Sequence, residues 1–244
     1  MLILSNIVNR IFIAIMAKNV CDLKSCFLCR FCISDWRPAI AATRQNFELK
    51  KGHRLFKEGD PVKGIYFIYS GTVKVHKRWG SEKELILRFA KAGDVVGQLG
   101  LGDDANYPVS ATAIGPAIVC FVAMDFFEST LNINQDFSRQ LIKVLANDLQ
   151  ESEKRMRNLA HMPVKGRLAQ ALITLQNQFG TTADGFINMD LSRQDLASFT
   201  GAAYESLFRM MNELVEDKLI RISGKSILIA DEKALLRLTE DADL

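Results

Sequence analysis

The chain has 244 residues, 48% of them hydrophobic and 24% charged, and a net charge of +3 at pH 7. This is the composition of a soluble globular protein with one large domain or two small ones, and the charge is too small to indicate a partner by itself. Five cysteines, four of them crowded into CDLKSCFLCRFC at residues 21–32, do not fit a short secreted scaffold whose disulfides are spread along the chain; a reducing, cytoplasmic compartment fits better.

The first sixteen residues, MLILSNIVNRIFIAIM, are apolar but interrupted by Asn6, Asn9 and Arg10. They are too short for a membrane span, and the arginine breaks the apolar run that a signal peptide needs. Met16 is therefore expected to be the true start, with residues 1–15 an extension; a short amphipathic helix is the alternative. The cysteine segment follows. From residue 43 to 125, short apolar runs (Gly64–Ile68, Thr72–His76, Leu85–Phe89, Ala117–Val122) alternate with turn signals such as GDPVKG, WGSEK, KAGD and LGDDANYP. Many short strands punctuated in this way predict a closed sandwich or barrel.

Beyond residue 125 glycine and proline vanish, and Ile142, Leu145, Leu149, Ser152, Met156 and Leu159 recur at alternating steps of three and four. This spacing predicts one long helix with a heptad seam, paired in parallel with a second chain or else packed on its own barrel. Residues 163–230 form a compact helical unit. Pro163 opens a helix with Val164, Leu168, Leu172, Leu175 and Phe179 on one face, and Gly180 stops it. In LSRQDLASFTGAAYESLFRMMNELVEDKLI, Ser192 and Asp195 resemble a capping box, and a short helix, a turn at Gly201 and a longer helix follow. Two helices around a tight glycine turn predict a helix-turn-helix, and RISGKSILI adds a hairpin wing.

With Leu207, Met210, Met211, Leu214 and Val215 turned inward, the second helix presents Tyr204, Glu205, Phe208, Arg209 and Asn212 outward. Arginine can donate two hydrogen bonds to guanine and glutamate can accept from cytosine, so Glu205 and Arg209 are candidate base readers; an i,i+4 surface ion pair is the alternative. Phe208 is expected either to meet thymine methyl groups or to tuck back onto the domain, and Tyr204 to reach a phosphate. Seven positive and seven negative side chains between His161 and Ala230 cancel. The expected phosphate contacts therefore rest on placement, with Lys165, Arg167, Arg193 and Lys225 at helix starts and the wing. Only three histidines, no Ser/His/Asp set and no phosphate-binding glycine loop argue against an enzyme.

Taken together, LFKEGDPVKGIYFIYSGTVKVHK, FAKAGDVVGQLGL, LSRQDLASFTGAAYESLFRMMNEL and LIRISGKSILI resemble, in order and spacing, the cAMP receptor protein / fumarate-and-nitrate-reduction regulator (Crp/Fnr) superfamily of bacterial transcription factors. The resemblance implies an α+β fold: a double-stranded β-helix (jelly-roll) sensor domain of the cyclic-nucleotide-binding type, a dimerisation helix and a winged helix-turn-helix. The expected divisions are the extension at 1–19, the cysteine arm and β-roll at 20–125, the dimerisation helix at 126–160, the DNA-binding domain at 161–232 and a tail at 233–244. The implied partners are palindromic double-stranded DNA, a second copy of the chain and RNA polymerase, with no membrane. The DNA-binding set is Ser192, Arg193, Gln194, Tyr204, Glu205, Ser206, Phe208, Arg209 and Lys225.

Members that bind cyclic AMP carry a Gly-Glu pair and then an Arg-Ser pair around the ligand. Here the first pair is Gly97-Gln98, and LGLGDDANYPVSATA contains no arginine, with Asp103 and Asp104 instead. Burying a phosphate beside acids and without a cation is strongly unfavourable, so no cyclic nucleotide is expected. The oxygen-sensing branch of the family resembles this chain in another respect: an N-terminal cysteine cluster plus one cysteine on a strand of the roll, the place of Cys120 in AIVCFV. The resemblance implies a [4Fe–4S] cluster on Cys26, Cys29, Cys32 and Cys120, with Cys21 as the alternative ligand because the final spacer is shorter than the family's. Four thiolates also suit zinc. Thiol redox chemistry, a purely local site and simple core packing of Cys120 are the remaining readings. The expected function is regulation of transcription in response to oxygen or redox state; gating by a small ligand in the roll, with zinc-bound or inert cysteines, is the alternative.

Overall fold

A computed structural model describes residues 15–16, 22, 24, 26–80 and 83–240. The expected start at Met16 turns on residues that lie almost wholly outside this set, as does Cys21. A two-residue strand, β1 (Ile15–Met16), pairs antiparallel with β2 (Gln45–Leu49). The cysteine arm folds as α1 (Phe27–Phe31), a 3₁₀ turn (Ser34–Trp36) and α2 (Arg37–Thr43), which Pro38 opens in its first turn, where a missing N–H costs nothing.

The strands then follow: β2 (Gln45–Leu49), β3 (Arg54–Phe56), β4 (Gly64–Ser70), β5 (Val73–Trp79), β6 (Lys83–Ala90), β7 (Val95–Val96), β8 (Ser110–Ala113) and β9 (Ala117–Ala123). They build two antiparallel sheets, ordered β1-β2-β9-β4-β7 and β3-β8-β5-β6. Phe56, Ile68, Val73, Val75, Val119 and their neighbours fill the space between them, which is the two-layer roll that the alternating runs predict. Gly64 is dictated by close approach: a Cβ there would lie 2.1 Å from the Val122 carbonyl oxygen across the β4–β9 ladder.

The long helix differs from expectation at its start. It divides into α3 (Met124–Ile133) and α4 (Gln135–His161), with a break at Asn134. The Asn134 side chain accepts from the Ile33 N–H at 2.9 Å and donates to the Thr130 carbonyl at 3.1 Å, so the arm holds the joint that the sequence pattern runs through. On α4 the seam residues Ile142, Leu149 and Met156 remain 65%, 61% and 59% exposed. No helix among the described residues is long and apolar enough to cross a membrane.

The C-terminal unit comprises α5 (Val164–Phe179), α6 (Arg193–Thr200), α7 (Tyr204–Glu216), a hairpin of β10 (Ile220–Ser223) and β11 (Ser226–Ile229), and α8 (Glu232–Arg237). Its core holds Leu168, Leu172, Leu175, Leu196, Leu207, Met211 and Leu214. Val215, expected in the inward stripe, is 40% exposed. Residues 233–237, read as part of the tail, belong to α8, and its Leu235 is fully buried. The unit docks on the sensor roll: Ile86 and Phe89 of β6 belong to its core, and the Phe89 and Phe199 rings lie 5.0 Å apart.

Candidate functional site

The cysteines gather where three parts of the chain meet. Cys26 is the N-cap of α1, and its Sγ accepts from the Cys29 N–H at 3.4 Å; Cys32 is the C-cap. Steps of three along one helical turn and a half put these residues on one face, which turns inward. Cys120 sits mid-strand on β9, opposite Asn46 on β2 and Phe67 on β4. Cys26, Cys29, Cys32 and Cys120 are all at most 5% exposed. They share one apolar cluster with Phe27 of the arm, Phe67 and Val122 of the roll, and Phe137 and Leu141 of α4. The Phe27 ring lies 6.4 Å from Phe67 and 5.6 Å from Phe137, and so joins arm, roll and long helix.

Burial pushes the Cys32 thiol up to about 12; the neighbouring Cys26 adds to this and the Arg37 charge opposes it. A thiolate here requires a compensating cation. Among the described residues no group of three or more His, Cys, Asp or Glu side chains is drawn together closely enough for a single metal ion. A zinc ion needs its thiolates about 2.3 Å from one point, whereas a four-iron cluster takes its thiolates at more widely spaced corners. The donor set suits a cluster in kind: four buried thiols, three from the arm and one from the roll, in one apolar surround. Sequence reasoning missed Arg37; the one available signal was a cation five residues past Cys32.

Several side chains of the cassette that would face a cyclic nucleotide are engaged within the protein. Gly97 takes φ +97°, and Gln98, 3% exposed, donates its amide to Asp148 on α4 at 2.8 Å. The Tyr107 ring stacks on Phe56 at 3.9 Å, and its hydroxyl donates to the Gly64 carbonyl at 2.6 Å. Val109 is buried, and the Ser110 hydroxyl accepts from the Glu58 N–H.

The helix-turn-helix is set by local chemistry. The Ser192 hydroxyl accepts from the Asp195 N–H at 3.0 Å, capping α6, and donates to the Asp195 carboxylate at 2.6 Å. Gly201 ends α6 at φ +65°, and a Cβ there would lie 2.5 Å from Leu159 Cδ2 of α4. On α7, Tyr204, Glu205, Phe208, Arg209 and Asn212 are exposed, and Ser206 is half-buried. Phe208 keeps 53% of its surface in solvent instead of tucking back. Gln194 and Lys225 are exposed at the start of α6 and the wing turn.

The basic residues expected at phosphates are placed differently from one another. The Arg193 guanidinium donates to the Gly224 and Lys225 carbonyls at 2.9 and 3.1 Å, tying the wing to α6. Lys165 pairs with Asp217 at 2.9 Å and Glu213 at 3.3 Å, and Arg167 donates to the Met162, Thr200 and Gly201 carbonyls. These two hold helices together, which corrects their reading as phosphate contacts. Two further cations fix the head on the sensor: Lys74 of β5 bridges Glu84 of β6 and Asp195 of α6, and Arg155 of α4 donates to the Leu87 and Phe199 carbonyls. Burial raises the Glu84 carboxyl, but hydrogen bonds from His76 and Lys74 outweigh it and hold the group at about 2.

Comparison with known proteins gives two family matches, "Cyclic nucleotide-binding domain" over residues 46–134 and "Crp-like helix-turn-helix domain" over residues 166–238. The chain is 30% identical over 201 residues to a CRP-like cAMP-activated global transcriptional regulator of Mycobacterium tuberculosis, covering 82% of this chain and 90% of that one. It is 33% identical over 186 residues to an anaerobic regulatory protein of Bacillus subtilis, covering 74% and 78%. The solved structure of FixK2 from Bradyrhizobium japonicum superposes with a TM-score of 0.73 at 23% identity, over 82% of this chain and 99% of that one. At that identity the likeness is one of fold.

Proposed function

The chain belongs to the Crp/Fnr family of DNA-binding transcription regulators, not to an enzyme family, and on that premise we propose that it is a homodimer that senses oxygen or redox state through Cys26, Cys29, Cys32 and Cys120. One observation carries the reading: the three arm cysteines and the roll cysteine are buried in a single cluster that also contains Phe137 and Leu141 of α4. Cys32 rather than Cys21 is taken as the third arm ligand because it sits in that cluster. These four thiolates would hold a [4Fe–4S] cluster, which when bound would supply an oxygen-sensitive covalent tie between arm and roll.

The chain's own residues transmit the change. While the arm is tied down, Phe27 packs on Phe137, Trp36 stacks on Phe126 at 5.5 Å and donates to the Thr130 hydroxyl at 3.0 Å, and the Ile33 N–H is held by Asn134. These contacts grip the α3–α4 joint from outside. Freeing the arm removes them together and lets the start of α4 move, along with the seam that pairs the two chains. The seam sets the separation of the two α7 helices, and a palindromic site demands that they enter successive major grooves one helical turn apart. On α7, Glu205 and Arg209 read bases and Tyr204 and Phe208 flank them. Ser192, Arg193, Gln194, Ser206 and Lys225 line the surrounding surface, and RNA polymerase is the machine whose access the bound dimer alters.

A cyclic nucleotide is disfavoured because Gln98 is committed to Asp148 and the cassette segment LGLGDDANYPVSATA carries no arginine. The test is purification without oxygen followed by iron, sulfide and zinc analysis of the wild type and of Cys120→Ser. About four iron and four sulfide per chain, lost in the variant, is the expected result. Stoichiometric zinc, or iron retained in Cys120→Ser, would overturn the proposal.

A further inference from the structure

The second sheet turns Val75 and Ala111 into the roll, and its opposite face meets the head through Lys74 of β5 and Ile86 of β6. Beside that contact lies a cleft of about 240 Å³ lined by Arg54, Lys57, Glu58, His76, Arg78 and Ser110. Its floor is fixed. His76 and Ser110 face each other on β5 and β8 and are 2% and 4% exposed. His76 Nε2 lies 2.9 Å from the Thr112 hydroxyl, and its Nδ1 3.0 Å from the Glu84 carboxylate. The Ser110 hydroxyl accepts from the Glu58 N–H at 2.9 Å, which leaves its own hydrogen to donate. The acids around the cleft are already matched. Glu58 pairs with Lys77 at 3.3 Å, Asp195 with Lys74 at 2.7 Å, and Glu84 with Lys74 at 2.5 Å and Arg78 at 3.5 Å. Arg54 and Lys57 are exposed, and among the described residues neither side chain has a hydrogen-bond or ion-pair partner. Like charges gathered over one concave wall repel each other and focus their field there, which draws in an anion.

We infer that this cleft binds a small phosphate-bearing anion, and that the bound anion loosens the sensor's hold on the head. The inference is independent of the cysteine site. Arginine offers a planar fork of donors that matches phosphate oxygens, and lysine a compact charge. Arg54, Arg78 and Lys57 supply both kinds, and the Ser110 hydroxyl adds a neutral donor from the floor. The volume lies below the roughly 300 Å³ at which pockets for drug-sized ligands begin, so a compact anion suits it better than a nucleotide. The backbone of a duplex presents a row of phosphates and asks for a stripe of cations, not one recess. The link to the head runs through Glu84. Arg78 at the rim shares this carboxylate with Lys74, which also holds Asp195 in the first turn of α6. An anion that draws Arg78 to itself leaves Glu84 more dependent on Lys74 and weakens the Lys74–Asp195 bridge. A looser head loses more freedom on entering its groove, so affinity for DNA falls.

Isothermal titration calorimetry of the intact chain with inorganic phosphate and with glycerol 3-phosphate, at constant ionic strength in a phosphate-free buffer, reads the site. Wild type is compared with Arg54→Gln/Lys57→Gln and with Lys50→Gln/Lys51→Gln, which removes the same charge from exposed positions outside the cleft. Saturable binding in the millimolar range or tighter is expected, weakened about tenfold or more in the first variant and less than about twofold in the second. Binding of both compounds identifies the phosphate group as what is recognised, and binding of the ester alone a phosphorylated small molecule; either supports the site. Fluorescence anisotropy on oxygen-free protein, with a duplex it selects from a random pool, then reads the link to the head. Saturating phosphate is expected to weaken wild-type DNA binding about fivefold and to leave Arg54→Gln/Lys57→Gln unchanged. Arg78→Gln is expected to bind DNA weakly without phosphate, as wild type does with it. No saturable binding by wild type, or equal binding by Arg54→Gln/Lys57→Gln, overturns the site. If neither compound binds and this variant loses affinity only for duplexes extended at their flanks, the cations belong to DNA backbone and the inference falls. Phosphate binding with no fall in wild-type DNA affinity, or a fall shared by Arg54→Gln/Lys57→Gln, overturns the link to the head.

Discussion

Leu149→Ala separates association from folding. In one chain Leu149 is 61% exposed on α4, in line with Ile142 and Met156 a heptad away on either side. Truncation to alanine removes three carbon groups, each contributing roughly 0.8 kcal/mol when buried. About three-fifths of that burial occurs only on pairing, so a symmetric dimer loses about 1.5 kcal/mol per chain and about 3 kcal/mol in all. The dimer dissociation constant then rises on the order of 100-fold. The monomer loses little, because most of the side chain never enters its core. Sedimentation equilibrium measures the first quantity and the thermal midpoint at low concentration the second, with Asn147→Ala, exposed on the same helix, as control. A dissociation constant that stays within twofold of wild type, or a monomer destabilised by the full amount, would refute the assignment of this seam to the partner.

Arg209→Ala is expected to weaken binding to a specific palindromic duplex by roughly 1–3 kcal/mol while leaving affinity for scrambled DNA unchanged; equal losses on both would exclude base reading. Gly201→Ala forces a side chain into φ +65° and against Leu159, so the thermal midpoint should fall, reflecting at least about 1 kcal/mol; an unchanged midpoint would show that the turn and α4 are not so closely packed. Glu84 is held at about 2, below its ordinary 4.5, so its contribution to stability is present above pH 4.5 and is lost as the pH falls towards 2. Glu84→Gln should flatten that acid limb of the stability curve and leave its slope near neutrality unchanged. A variant whose stability follows the wild-type pH profile in parallel would remove Glu84 from the docking of head and sensor.

The sheets and the helix-turn-helix were legible because their signals are local. Alternating apolar residues mark β4, β5, β6 and β9 within a residue or two at most ends, and Ser192, Gly201 and Gly180 punctuate the helices by their own backbone chemistry. What escaped depends on partners far along the chain. The break at Asn134 is made by Ile33, 101 positions away, and no periodicity in α4 records it. Lys165 and Arg167 looked like free cations at a helix start, yet their acceptors lie on and just past α7 and at the end of α6. The loss of a carboxylate at Gln98 could be read directly, but its bond to Asp148, 50 positions on, could not. The six residues of α8 span too little sequence to show a stripe, so burial of Leu235 is their only mark of belonging to the head. For the cysteines, spacing named the candidates, and the fold added that Cys120 and the arm share one cluster with the long helix.

The claim that the cysteine site governs DNA binding is tested most directly by fluorescence anisotropy. The duplex is one selected by the oxygen-free protein from a random pool, and the same sample is titrated before and after exposure to air, with Cys120→Ser alongside. Wild type is expected to lose about 10-fold or more in affinity on exposure, within the usual range of coupling between two sites; Cys120→Ser should bind weakly from the outset and ignore air. Equal wild-type affinity in both states, or a Cys120→Ser that responds to air as wild type does, would contradict the account.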